Sequence, residues 1–502
     1  MMEYFLDILT LLHFSGIAGL ALYGIHRIWF LICWLSIRLI RKNKLHGTKP
    51  PALDDHPKVT VQVPLYNEPL VAERVIDAVV RLDWPQEKLD IQILDDSTDV
   101  TREIVLKRVA KWADIGVPIQ LIRRTGRDGY KAGALRNGMA LCKGEFIALF
   151  DADFVPDPDF LEKTIPWFNK KNVGMVQARW TFINANQSWL TRLQALLLSP
   201  HFSIEHQIRS DRGLFFNFNG TAGVWRKQAI ETSGGWQDDT VTEDLDLSYR
   251  AQIKGWRFLY LDHVSVLSEL PTTLSHFRAQ QERWTKGAVQ TAIKIIPSLL
   301  CSPLSLKIKL EGMAHLMANL CWLFALVVTL TLYPVIIHRI NIGIYQILWF
   351  DLPLFMFSSG AIICYYLMHS LMTGHRRFAW IIGILPLLSI GLSPCFSRCV
   401  FQGIFQKGGE FIRTPKLGLS HTRGSAQDLF HSCANDIWAL LVNVPFMLYS
   451  LLPLTLTWQQ GTWVALPFIS LFPMGFFLVI VVDLYNLIKG YWHDLLKPCD
   501  TS

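Results

Sequence analysis

The sequence predicts an α/β domain, built on a mostly parallel sheet and inserted between transmembrane α-helices. Three observations predict it. Apolar stretches long enough to cross a bilayer lie towards both ends of the 502-residue chain. The polar region between them, about residues 45–305, alternates short β-branched runs with amphipathic stretches. Acidic pairs then stand just after two of the apolar runs, at the carboxyl ends of strands where such sheets bind ligands.

Composition agrees with this division. At 51% hydrophobic residues and 18 Trp, the chain is too apolar for one ordinary soluble domain, yet long enough for a domain and several spans. The net charge of +7 includes Arg38, Arg41, Lys42 and Lys44 at the end of the first apolar stretch, the pattern of a cytoplasmic membrane boundary. The basic excess therefore reads as topology and contact with anionic lipid, not as nucleic-acid binding. The nine cysteines form no Cys-x-x-Cys pair and no His cluster has zinc spacing, and Cys395 with Cys399, one helical turn apart, read as helix packing.

In chain order, residues 1–44 hold the first membrane helix, about 5–37, with His26 and Arg27 interrupting it. Met1-Met2-Glu3 lacks a basic leader and a small-residue cleavage site, so this helix is expected to stay as an anchor with its amino terminus outside. The cytoplasmic domain, 45–305, shows strands near 59–63, 91–94 and 145–150 and helices near 71–82 and 102–113. Apolar segments follow at about 312–336, 346–369, 378–392, 436–456 and 463–487 in a region running from 306 to 502. With His375-Arg376-Arg377 and the 407–423 stretch both cytoplasmic, 378–392 is expected to be re-entrant or interfacial. It is short, carries Pro386, and is followed by Ser393-Pro394, which reads as the start of a new helix. Five full spans and a cytoplasmic carboxyl terminus result.

Several groups carry chemistry. Asp151 and Asp153 lie two residues apart, so in an extended chain both carboxylates point the same way, as a hard divalent cation requires. An isolated Asp-x-Asp is more often an acidic turn, but here the buried-strand pattern Phe146-Ile147-Ala148-Leu149-Phe150 precedes it. Asp95 and Asp96 also end an apolar strand, and suit hydrogen bonds to a ribose or a base, while Ser97 suits a helix cap. Thr242-Glu243-Asp244 reads as a helix start with Thr242 as its cap, and equally as a fixed general base. Gln280, Arg283 and Trp284, at i, i+3 and i+4, share one helix face, which suits a diphosphate on the amide and guanidinium and a sugar ring on the indole, and equally an interfacial helix anchored by its Trp and Arg at the bilayer surface. Lys131, in the stretch after Arg123, Arg124 and Arg127, reads by default as part of a solvated basic loop, and also suits a phosphate.

Assembled, these groups resemble those of the processive, inverting family 2 glycosyltransferases of the cellulose synthase-like group. The matching pieces are Pro64-Leu65-Tyr66-Asn67-Glu68, Asp95-Asp96, the stretch from Arg127 to Leu135, Asp151-Ala152-Asp153, Thr242-Glu243-Asp244 and Gln280-x-x-Arg283-Trp284. Val176-Gln177-Ala178-Arg179-Trp180, and the stretch from Phe218 to Arg226, are similar to plant mannan and glucomannan synthases. The chain departs from those synthases after the motif, continuing Thr285-Lys286-Gly287-Ala288.

The resemblance implies a GT-A type glycosyltransferase domain, with a nucleotide sugar contacted by Tyr66, Glu68, Asp95, Asp96, Lys131, Asp151, Gln280 and Arg283. It implies Mg²⁺ or Mn²⁺ on Asp151 and Asp153, and Asp244 as the base that deprotonates the acceptor. Trp284, Asn219, Gly220 and Thr221 would meet the acceptor. Phe411, Arg413, Thr414 and Lys416, in a stretch of about 403–425, resemble the gating loop of bacterial cellulose synthase, with Arg413 where Val is usual. The expected product is an exported β-1,4-linked polysaccharide, first mannan or glucomannan from GDP-mannose, second a glucan from UDP-glucose. A bacterial plasma membrane and a Golgi membrane both suit such an enzyme. A non-processive transferase with a lipid acceptor is the rival enzyme; a transporter leaves the acidic and Gln-x-x-Arg-Trp sets unexplained.

Overall fold

The structure is a computed structural model that describes residues 2–40, 51–53, 55–339, 347–374, 376–409, 416 and 426–495. Of the expected loop residues, Phe411, Arg413 and Thr414 lie outside the described residues.

The polar region folds on a seven-stranded sheet of order β3-β2-β1-β4-β6-β5-β7. The strands are β1 (Val59–Leu65), β2 (Leu89–Asp95), β3 (Ile119–Ile122), β4 (Phe146–Leu149), β5 (Val173–Phe182), β6 (Gly223–Arg226) and β7 (Arg257–Ser268). All neighbours run parallel except β6, which is antiparallel to both β4 and β5. Apolar layers cover both faces, so β4 is a continuous hydrophobic run, and β1 and β2 bury even the polar residues that alternate with their apolar ones. The polar side chains they do bury are paired: Gln62 Nε2 donates to Gln92 at 2.9 Å and Thr60 to Asp90 at 3.0 Å. The order reverses between β1 and β4, so the crevice beyond their carboxyl ends is the expected ligand site. Asp95 ends β2, and Asp151 follows β4 by two residues.

Six helical stretches among the described residues are long and apolar enough to cross a membrane: Glu3–Arg38, Ala318–His338, Trp349–Met372, Ala379–Phe405, Asp436–Gln459 and Trp463–Ile488. Small residues let the first approach its neighbours closely. Gly24 lies against the Phe357 carbonyl, and Gly19 against the Phe324 ring, with no room for a methyl at either.

The stretch 379–405 corrects one expectation. Ser393-Pro394 does not open a helix; Pro394 lies inside the helix Ile384–Phe405. The carbonyl of Ile390, deprived of its partner by Pro394, accepts from the Ser393 hydroxyl at 2.7 Å, so the helix continues. Both ends of this stretch touch the catalytic region. At its start Ile381, Ile382 and Leu385 pack with Leu190 and Leu193. At its end Gly403 abuts Lys286 and Val289, and Gln290 donates to the carbonyls of Gln406 at 2.9 Å and Gly408 at 2.7 Å.

Candidate active site

The site is assembled from strand ends on one side and the helix Leu274–Cys301 on the other. Where β1 ends, Asn67 takes a left-handed φ of 53° and is held there by Ser97 and Thr98, 30 and 31 residues away: its N–H donates to Ser97 Oγ at 2.9 Å, and its side chain accepts from Thr98 N–H at 2.8 Å. Ser97 is thus spent on Asn67 and caps no helix; Asp99 instead accepts from the Thr101 N–H at 2.9 Å. Asp95 and Asp96 are each gripped by an arginine. Arg123 reaches Asp95 at 2.8–2.9 Å, and Arg124 holds both oxygens of Asp96 at 2.8 and 2.5 Å. Arg127 stacks over the Tyr66 ring, 3.3 Å from its centroid, and forms a flat platform beside Asp96.

Asp151 and Asp153 each carry a lysine. Lys131, in the first turn of the helix Tyr130–Leu141, donates to Asp151 Oδ1 at 2.5 Å and to the Gly220 carbonyl at 3.0 Å. Burial opposes the charge on Lys131, but Asp151 and Glu243 outweigh it and raise its pKa. Asp153 Oδ2 accepts from Lys416 at 2.9 Å and from the Glu269 N–H at 3.2 Å. Among the described residues no three His, Cys, Asp or Glu side chains gather as a complete metal shell. Two carboxylates already matched to ammonium groups nevertheless fit Mg²⁺ or Mn²⁺, which are commonly held by one or two carboxylates with phosphate and water as the remaining ligands.

Opposite stands Asp244, at the start of the helix Glu243–Ile253. Thr242 precedes that helix without capping it; its hydroxyl meets Thr291 at 3.2 Å, and Gly287 leaves just the space its side chain needs. The motif helix and the acidic turn are thereby locked together. Burial, then the Glu243 charge, push Asp244 up to about 7, with Lys131 opposing. A β-carbon on Gly220, whose φ is +83°, would come within 2.9 Å of the Asp244 carboxylate. Burial lowers the Arg283 pKa and outweighs the surrounding carboxylates of Glu243, Asp151, Asp244 and Glu68, which oppose it.

Gln280, Arg283 and Trp284 line one cavity with Tyr66, Glu68, Asp96, Lys131, Asp151, Asp153, Asn219, Gly220, Asp244 and Lys416. Asp95 lies just outside it, in a smaller recess lined also by Tyr66 and Arg127. Thr221, 1% exposed, is not among the residues that line the cavity; its hydroxyl accepts from the Asp151 N–H at 2.8 Å and supports the strand end. Asn219 is held by His206 at 2.6 Å and His201 at 3.1 Å. Both histidines belong to a π-helical turn, His201–His206, that no periodicity in the sequence announces. The cavity, about 890 Å³, continues past Tyr23, Arg27, Ala325 and Leu388 and between the apolar helices.

This sheet order is that of a GT-A-like fold, and residues 56–287 match the family described as Glycosyltransferase like family 2. That match covers the polar region, a little under half of the chain.

Among curated relatives, glucomannan 4-beta-mannosyltransferase 7 of Arabidopsis thaliana is 44% identical over 281 residues, 53% of this chain and 50% of the relative. Glucomannan 4-beta-mannosyltransferase 1 of Oryza sativa subsp. japonica is 42% identical over 290 residues, 55% of this chain and 56% of the relative. The chain thus spans about half the length of the curated relatives it matches. Among solved structures, a mannosyltransferase from Pyrobaculum calidifontis, in complex with GDP-Man and Mn²⁺, aligns with a TM-score of 0.50 and 19% identity, over 81% of this chain and 99% of that one. That likeness concerns the fold.

Proposed function

We propose that the protein is a membrane-embedded, processive, inverting hexosyltransferase that builds a β-1,4-linked mannan or glucomannan from GDP-mannose and exports it. The observation that carries this reading is the single cavity joining Asp244, Arg283 and Trp284 to the space between the apolar helices. The mannosyltransferase names of the relatives, and the GDP-Man and Mn²⁺ of the solved structure, support mannose as the donor sugar over glucose from UDP-glucose.

In this reading Asp244 takes the proton of the acceptor hydroxyl as that oxygen attacks the anomeric carbon, and the nucleoside diphosphate leaves from the opposite face. Arg283 and Gln280 bind the diphosphate, Lys131 adds charge, and Tyr66, Glu68, Asp95 and Asp96 form the nucleotide side. Trp284 stacks the acceptor sugar, with Asn219 and Gly220 beside it. Asp151 and Asp153 would hold Mg²⁺ or Mn²⁺, which when bound neutralises charge on the leaving diphosphate.

The domain faces the cytoplasm of a bacterial or Golgi membrane. Five of the six apolar stretches cross the bilayer, while 379–405, with both ends against the catalytic region, lies along its surface.

The test is to incubate the purified full chain with labelled GDP-mannose and, separately, UDP-glucose, and to digest the product with endo-β-1,4-mannanase or cellulase. Mannanase-sensitive polymer from GDP-mannose is expected, and none from Asp244→Asn. Polymer from UDP-glucose alone would overturn the donor. Transfer to lipid alone would overturn processive synthesis.

A further inference from the structure

Asp153 is already occupied by a cation that belongs to the chain. Its Oδ2 lies 2.9 Å from the Lys416 ammonium, and the carboxylate is 5% exposed. The lysine on the other carboxylate is built differently. Lys131 rises from a helix of the catalytic fold and is anchored twice, on Asp151 and on the Gly220 carbonyl, within 4.0 Å of Glu243. Lys416 comes from far along the chain, beyond the stretch 379–405, and among the described residues it bonds to Asp153. The remaining contacts of Asp153 are with backbone or through backbone: Oδ2 accepts from the Glu269 N–H at 3.2 Å, and its carbonyl accepts from Arg74 at 3.5 Å.

A divalent cation on a carboxylate oxygen sits about 2.0–2.2 Å from it. An ammonium held on that same oxygen would then face a like charge at close range in a poorly hydrated pocket, where repulsion is strong.

We propose that Lys416 and the divalent cation are alternative occupants of Asp153: cation binding expels Lys416 from the carboxylate, and Lys416 lowers cation affinity while it stays. The inference rests on the reading of Asp151 and Asp153 as the cation site, but on no particular sugar or nucleotide. Two ligands competing for one site are reciprocally linked, and such couplings typically amount to about 5–150-fold in affinity.

The test uses the full chain in detergent micelles, with Mn²⁺ alone and no nucleotide, and reads free Mn²⁺ by electron paramagnetic resonance. Lys416→Gln is expected to bind Mn²⁺ about tenfold more tightly than the native chain. Lys416→Arg should bind like the native chain. Lys407→Gln, which removes an exposed charge from the same segment, should also bind like the native chain. A second readout is amine acylation of Lys416 followed by mass spectrometry, which should quicken several-fold on adding saturating Mn²⁺. Affinity of Lys416→Gln within twofold of native, or lower, overturns the exchange, as does acylation unaffected by Mn²⁺. Adding Asp153→Asn to Lys416→Gln separates the two readings. Loss of Mn²⁺ binding supports the cation site; undiminished binding overturns the cation site itself, whatever Lys416 does.

Discussion

Asp244 combines two properties that a general base needs and that oppose each other: it is enclosed enough to be basic and still reachable from the cavity. Burial and Glu243 hold its pKa at about 7, far above the usual carboxylate range. A base must be unprotonated, so kcat/KM is predicted to be flat above pH 7 and to fall about tenfold per unit below it. A pH–rate profile of the purified enzyme checks this, and an acid limb near pH 4 would contradict it. Asp244→Asn should lower kcat by about 10²–10⁴ with nucleotide affinity little changed. How visible such residues are in the sequence depends on what marks them. Asp151 and Asp153 stand out because an apolar strand delivers them, and Gln280, Arg283 and Trp284 because helical spacing aligns them. The ion pairs Arg123–Asp95 and Arg124–Asp96 join residues 28 apart, and Lys416–Asp153 joins residues 263 apart. No local pattern encodes those distances. The bond from the Asp151 N–H to the Thr221 hydroxyl, across 70 residues, is hidden from the sequence for the same reason.

At the scale of elements, two of the contacts that clamp the motif helix Leu274–Cys301 make direct predictions. One is the contact of Gly287 with Thr242, which leaves no space for a side chain. Gly287→Val is predicted to push the helix away from Asp244, cutting transfer at least tenfold while the chain still folds, as thermal unfolding would report. The other is Arg278, 2% exposed, which bonds to Asp483 at 2.5 Å and faces Asp436 at 3.6 Å. Arg278→Leu strands two buried carboxylates and should cost about 3–5 kcal/mol, visible as a lower midpoint of unfolding. Adding Asp436→Asn and Asp483→Asn to that variant should recover much of the loss. The strands and the first helices of the domain were legible from β-branched runs and amphipathic spacing. The stretch 379–405 was only half legible. Pro394 reads as a boundary, and only the hydroxyl of Ser393, folded back onto Ile390, lets the helix pass through it.

For the whole molecule, the proposed function makes synthesis and export one process: in that reading the polymer's path begins at Trp284 and follows the cavity between the helices. Narrowing that path should shorten the product without touching the chemistry. Ala325→Trp is predicted to leave the rate of nucleotide release on first transfer unchanged and to reduce polymer length several-fold, read by size-exclusion chromatography of labelled product. The most direct test of coupled synthesis and export uses proteoliposomes with the catalytic domain outermost, fed labelled GDP-mannose. Polymer that resists added endo-β-1,4-mannanase until detergent opens the vesicles is the predicted result, because the chain would have been threaded into the lumen. Polymer fully digested without detergent would contradict it.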